Sequence, residues 1–80
     1  MMKWAEVNSK SLFAIGYDRA RRILSLEYRP EAKVYRYFDV PPEEHQAFLD
    51  AKSKGEYLNF VFKPKKYRYE GPVSGGRQAA

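Results

Sequence analysis

Two periodicities divide this chain. Between residues 11 and 39 the apolar positions alternate with polar ones, the signature of half-buried strands; from Pro41 onward they recur at three- and four-residue intervals, the signature of a helix. Ser11 to Tyr17 (SLFAIGY) predicts a strand with Phe13, Ile15 and Tyr17 on one face. The polar stretch DRARR, residues 18 to 22, predicts a turn. Arg22 to Tyr28 alternates cleanly, with Leu24, Leu26 and Tyr28 on one face and Ser25 and Glu27 on the other. Pro30-Glu31-Ala32 interrupts, because proline is poorly tolerated within a ladder. Lys33 to Asp39 (KVYRYFD) predicts a third strand rich in β-formers, and since Arg36 resists burial, Tyr35 and Tyr37 are expected to face inward. Short connections make these three an antiparallel meander.

Pro41-Pro42-Glu43-Glu44 opens the helical stretch, followed by His45, Phe48, Leu49 and Lys52 at i, i+3, i+4 and i+7. Carboxylates in the first turn and Lys52 and Lys54 in the last suit the macrodipole, and Gly55 is expected as a left-handed stop. Residues 56 to 62 (EYLNFVF) read as a short second helix with Tyr57, Phe60 and Val61 on one face, the alternative being a strand of Leu58, Phe60 and Phe62. KKYRYE, residues 65 to 70, has the pattern of a fourth strand. A helix of about 14 residues does not hold itself in water, nor does a bare hairpin. The expected fold is therefore α+β: a three- or four-stranded antiparallel meander packed against one main helix and a short second one. One domain is expected over residues 1–70, with 71–80 (GPVSGGRQAA) a disordered tail.

Composition narrows the function. Eighty residues make one small domain with a modest core and little room for a walled active site. The absence of cysteine removes disulfides, thiolate zinc sites and a nucleophilic thiol. MMKWAEVNSK has no apolar leader segment and no stretch is apolar enough to span a bilayer, so a soluble, cytoplasmic protein with no membrane partner is expected. Fifteen Lys and Arg against ten Asp and Glu give a net charge of +5, which favours polyanionic partners.

No enzyme is expected. His45 is the sole imidazole and has no partner at a recognisable spacing, while Glu43 and Glu44 are adjacent on a helix and so point apart. They suit the dipole at its N-terminus. One histidine and no cysteine predict no metal site, and no glycine-rich loop joins a strand to a helix, so no cofactor is expected. Ser53, Tyr57 and Asn59 form a candidate polar cluster, which as an ordinary helix end would instead satisfy backbone groups.

The stronger candidate is KPKKYRY, residues 63 to 69. Lys63, Lys65, Lys66 and Arg68 are cations interleaved with Tyr67 and Tyr69, and Arg21 and Arg22, beside Arg19, add a second cluster in the first turn. Cations that track phosphates, with rings that stack bases, are what single-stranded nucleic acid requires. The same residues would equally serve as an edge strand, its tyrosines packed and its lysines wet. RNA or single-stranded nucleic acid is the expected ligand class, contacted by Arg21, Arg22, Lys63, Lys65, Lys66, Tyr67 and Arg68. The alternative is a protein-interaction module pairing through a strand edge or aromatic patch with another protein or a second copy of itself.

Several of these elements, in order, carry a resemblance. Ser9, Ala14-Ile15-Gly16-Tyr17-Asp18, Leu24, Tyr35-x-Tyr37, Val40-Pro41 and Ala51-x-Ser53-x-Gly55-x-Tyr57-x-Asn59 resemble the KTSC domain over roughly residues 7 to 69. That family occurs as a free-standing domain in bacteria and phages and at the C-terminal end of some lysyl-tRNA synthetases. Lys10, Pro30-Glu31-Ala32, His45, Leu58 and Lys63-Pro64-Lys65-Lys66 depart from its usual pattern. The resemblance implies the small α+β fold and no established activity; its link to a tRNA-handling enzyme is one of association.

Overall fold

The computed structural model describes residues 2–73 of the 80. Five strands, β1 (Lys3–Glu6), β2 (Leu12–Asp18), β3 (Ile23–Tyr28), β4 (Lys33–Tyr37) and β5 (Tyr69–Glu70), form one antiparallel sheet in the order β1-β2-β3-β4-β5. Helix α1 (Pro42–Asp50) follows β4. Helix α2 (Lys54–Tyr57) continues as a wide turn over Leu58–Phe62 and a tight turn over Lys63–Lys65 before the chain returns to the sheet. The expected meander is β2-β3-β4; of the expected fourth strand over residues 65–70 only Tyr69–Glu70 pair with the sheet, as β5, because Lys65 ends the tight turn and Lys66 is left-handed. Strand β1 makes the sheet one wider; at four residues, two of them charged, it is too short to leave a periodic signal.

The core lies between one sheet face and the helices. Ile15 and Tyr17 of β2, Leu24 and Leu26 of β3 and Tyr37 of β4 meet Val40, Phe48, Leu58 and Phe62, all buried. Tyr35 and Tyr37 face inward as the charge on Arg36 predicts. Phe13 does not join Ile15 and Tyr17. The register slips between Leu12 and Ala14, a bulge that leaves Phe13 half-buried under the Arg29 guanidinium (4.0 Å) and turns Leu12 into the core.

The other sheet face is also covered. Trp4, Gly16, Ser25 and Arg36 lie side by side across it, and a Cβ at Gly16 would come within 2.8 Å of the Trp4 indole. Glycine is thus required at 16 by close approach of the ring. Ser25 and Glu27 sit on this face, as the alternation requires, and are buried.

Helix α1 begins where expected, with Pro42 in its first turn and Glu43 and Glu44 following, but it ends at Asp50. Lys52 and Lys54 therefore fall outside it, although the Lys54 ammonium still donates to the Ala51 carbonyl. Gly55 is not a left-handed stop: it lies inside α2, and a Cβ there would sit 3.0 Å from the Ser11 hydroxyl oxygen. The break belongs to Ser53, whose side chain accepts from the Glu56 N–H and so starts a new helix. Ser53-x-x-Glu56 is a legible capping signal that outranks the glycine. Residues 56–62 are helical, yet the buried pair is Leu58 and Phe62, four apart, while Phe60 is 76% exposed and Val61 is exposed too. The expected face of Tyr57, Phe60 and Val61 is thus corrected. Of the expected tail, Val73 donates its N–H to the Val34 carbonyl (2.8 Å), and residues 74–80 lie outside the described residues. No helix among the described residues is long and apolar enough to cross a membrane.

Candidate nucleic-acid interface

An open groove of about 830 Å³ runs between the inner face of β4–β5, the β3–β4 turn and the segment after the second helix. Strand alternation places Tyr28, Tyr35, Tyr37 and Tyr69 on one sheet face, and Phe62 and Tyr67 close the helical side. The rings form a continuous array. Tyr35 meets Tyr28 edge-on at 5.3 Å, Tyr69 tilts over Tyr37 at 5.4 Å, and Phe62 touches Tyr37 at 4.9 Å and Tyr67 at 5.2 Å. At the base the Tyr28 and Tyr37 hydroxyls share a hydrogen bond of 2.7 Å. Burial, with the neighbouring hydroxyl, pushes the Tyr28 phenol up, and burial raises Tyr37, so both are neutral hydrogen-bonding groups.

Five cations, Arg29, Lys33, Lys63, Lys66 and Arg68, rim this aromatic surface together with one carboxylate, Glu31. Glu31 pairs with Lys33 at 3.4 Å. Lys63 stands 5.9 Å above the Tyr28 ring, and Arg68 stacks 4.9 Å from Phe38. Lys66 adopts a left-handed backbone (φ 55°), which turns the chain from the helical run towards β5. Cationic rim and ring floor thus come from two stretches far apart in sequence, 28–37 and 62–69.

The residues singled out from sequence divide on this structure. Lys63, Lys66, Tyr67 and Arg68 line the groove. Lys65 does not: its ammonium pairs with Glu44. Arg21 and Arg22 lie in the β2–β3 turn, beyond the opposite end of β3 from Tyr28, with Arg22 roughly 20 Å from Tyr28 at the usual strand rise. There the Arg21 N–H donates to the Asp18 carboxylate (3.1 Å), and the Arg22 carbonyl accepts from Val40. The two basic clusters do not share the groove. Ser53, Tyr57 and Asn59 form no common site: Ser53 caps α2, Tyr57 donates to Glu44, and Asn59 is exposed.

Glu44, a dipole partner by its place in the sequence, is a buried hub in the structure. Its carboxylate, 5% exposed as a residue, accepts from the Tyr57 hydroxyl, the Lys65 ammonium and the Tyr67 hydroxyl (3.2 Å for the last). Burial opposes its ionisation, but the Lys65 and tyrosine donors outweigh that and hold it below the usual carboxylate range. Burial and the Glu44 charge push the Tyr57 and Tyr67 phenols up to about 12. His45 stacks on Tyr17 (centroids 4.4 Å apart), and burial lowers its pKa. Among the described residues no group of three or more His, Cys, Asp or Glu could hold a metal ion.

Comparison with known proteins agrees with this fold. Residues 8–67 match the KTSC domain. An uncharacterised protein of Stutzerimonas stutzeri strain A1501 is 48% identical over 68 residues, covering 85% of this chain and 94% of its own. A protein of Tsukamurella paurometabola is 41% identical over 59 residues, covering 74% and 87%. The crystal structure of a KTSC domain protein from Yersinia pestis superposes with a TM-score of 0.83 at 32% identity, over 92% of this chain and all of that one. With the fold, the ordered motifs and the family match in agreement, this chain belongs to the KTSC domain family.

Proposed function

We propose that this protein is a non-enzymatic binding module for single-stranded nucleic acid, RNA included, and that the strand lies in the aromatic groove. One observation carries the reading: five cations and five tyrosines from separate stretches of sequence converge on one open groove. Lys63, Lys66 and Arg68 track phosphates along the rim, while the accessible rings, with Tyr69 58% exposed, offer faces to unstacked bases. Duplex bases keep their faces stacked inside the helix and cannot use such rings, so the preference is for single strands. The neutral Tyr28–Tyr37 hydroxyl pair supplies polar contacts at the floor.

Anisotropy of labelled single-stranded RNA and DNA, titrated at several salt concentrations, tests the proposal. Wild type is expected to bind with a steep loss of affinity as salt rises. Replacing Lys63, Lys66 and Arg68 by glutamine should flatten the slope of log affinity against log salt by about 0.7 for each phosphate no longer neutralised. Binding no better than to a neutral polymer at low salt would refute it. A salt-insensitive association with protein would instead favour a second reading, in which the exposed Phe60 and Val61 form a contact patch for another chain.

A further inference from the structure

The groove has a rigid wall, the strands, and a wall with little regular structure, residues 63–68. At its start the Lys63 N–H reaches back to the Leu58 carbonyl; between the tight turn at Lys63–Lys65 and the two-residue β5, the wall bonds through Lys66 N–H to the Lys63 carbonyl and Phe38 N–H to the Arg68 carbonyl. Four of the groove's lining residues, Lys63, Lys66, Tyr67 and Arg68, nevertheless belong to it. Their placement needs an anchor from elsewhere.

We infer that Glu44 is the positioning residue of this binding surface: its buried carboxylate holds Lys65 and Tyr67 and so fixes the basic wall of the groove against the helices. The inference rests on the binding role proposed above. The geometry is specific. Lys65 and Tyr67 flank Lys66, so holding both on one carboxylate pins the residue between them, which carries a groove cation. Tyr57 donates to the same carboxylate from α2, tying the anchor to the helical layer. Tyr67 then packs its ring on Phe62 while its hydroxyl reaches Glu44. Lys65, spent on Glu44, serves the groove through its position and not through its charge.

Positioning and plain electrostatics predict opposite signs. Removing a negative charge near a polyanion site should tighten binding if charge were all that mattered. Loss of the anchor should weaken it. Glu44→Gln is therefore measured against single-stranded oligouridylate, with three readouts. The expected result is roughly tenfold weaker binding, the equivalent of one well-made polar contact. Cleavage by trypsin after Lys65, Lys66 and Arg68 should become faster, while the circular-dichroism spectrum remains folded. The tyrosine absorbance titration should shift to lower pH as Tyr57 and Tyr67 lose the adjacent charge. Tyr67→Phe, which keeps the ring and removes the hydroxyl, should show the first two effects at smaller size, and it stands in if Glu44→Gln fails to fold. Tighter binding by Glu44→Gln, or cleavage rates equal to wild type in both variants, would overturn the inference. If wild type itself binds no oligonucleotide, the groove reading fails, and the cleavage and titration readouts still decide whether Glu44 anchors the segment.

Discussion

Replacing Phe48 by alanine removes the one apolar side chain that α1 buries completely. The ring is fully buried, tilted against Tyr57 at 4.9 Å and against Phe62 at 5.5 Å. Transfer of such a side chain out of water contributes about 1.5–3 kcal/mol. The neighbouring rings belong to a second helical run tied to the sheet and cannot fully collapse into the space. The cavity raises the expected loss to about 3–5 kcal/mol. An 80-residue domain typically has about 4–12 kcal/mol in total. At about 4–8 °C per kcal/mol for a chain of this size, the melting temperature should fall by at least about 12 °C. Thermal unfolding followed by circular dichroism, with Trp4 fluorescence as an independent probe of the sheet, measures it. The two probes should move together, because the core is shared by both layers. A melting temperature within about 5 °C of wild type would mean that α1 is held to the sheet by something other than Phe48.

Two other sites carry predictions of their own. Gly16→Ala forces a Cβ against the Trp4 indole, so it should red-shift the tryptophan emission and destabilise by about 1–3 kcal/mol; unchanged emission would remove the ring from its place over the sheet. Glu44 has a folded pKa below its ordinary value near 4.5, so its network stabilises fully above that value and is lost as pH falls through the lowered one. Urea midpoints measured from pH 6 to pH 3 should therefore fall more steeply for wild type than for Glu44→Gln, and parallel curves would contradict the assignment.

The parts of the fold that are legible in the sequence share a cause: each is written in one continuous stretch. Alternation at Leu24, Leu26 and Tyr28 identifies β3, and the cost of burying Arg36 orients β4. The Pro-Glu start locates α1. The features that escape such reading depend on contacts between distant residues. No local pattern announces the bulge at Phe13, which exchanges Leu12 for Phe13 in the core. Gly55 has the look of a stop, while its small size serves the approach to Ser11, far back in the chain. The groove is half visible: KPKKYRY names one wall, but Tyr28, Arg29 and Lys33 join it only because β5 pairs with β4. Glu44 is invisible as a hub because its donors Tyr57, Lys65 and Tyr67 lie 13 to 23 residues downstream.

As proposed, a nucleic-acid strand would lie in the tyrosine groove and leave the Arg19–Arg22 turn and the Phe60–Val61 corner free. Amide chemical-shift mapping with a short single-stranded oligonucleotide tests it most directly. Perturbations should be confined to residues 28–37 and 62–69 and saturate together, with the Arg19–Arg22 turn and the Phe60–Val61 corner undisturbed. Perturbations centred on Arg19–Arg22, or an unchanged spectrum at saturating oligonucleotide and low salt, would contradict it.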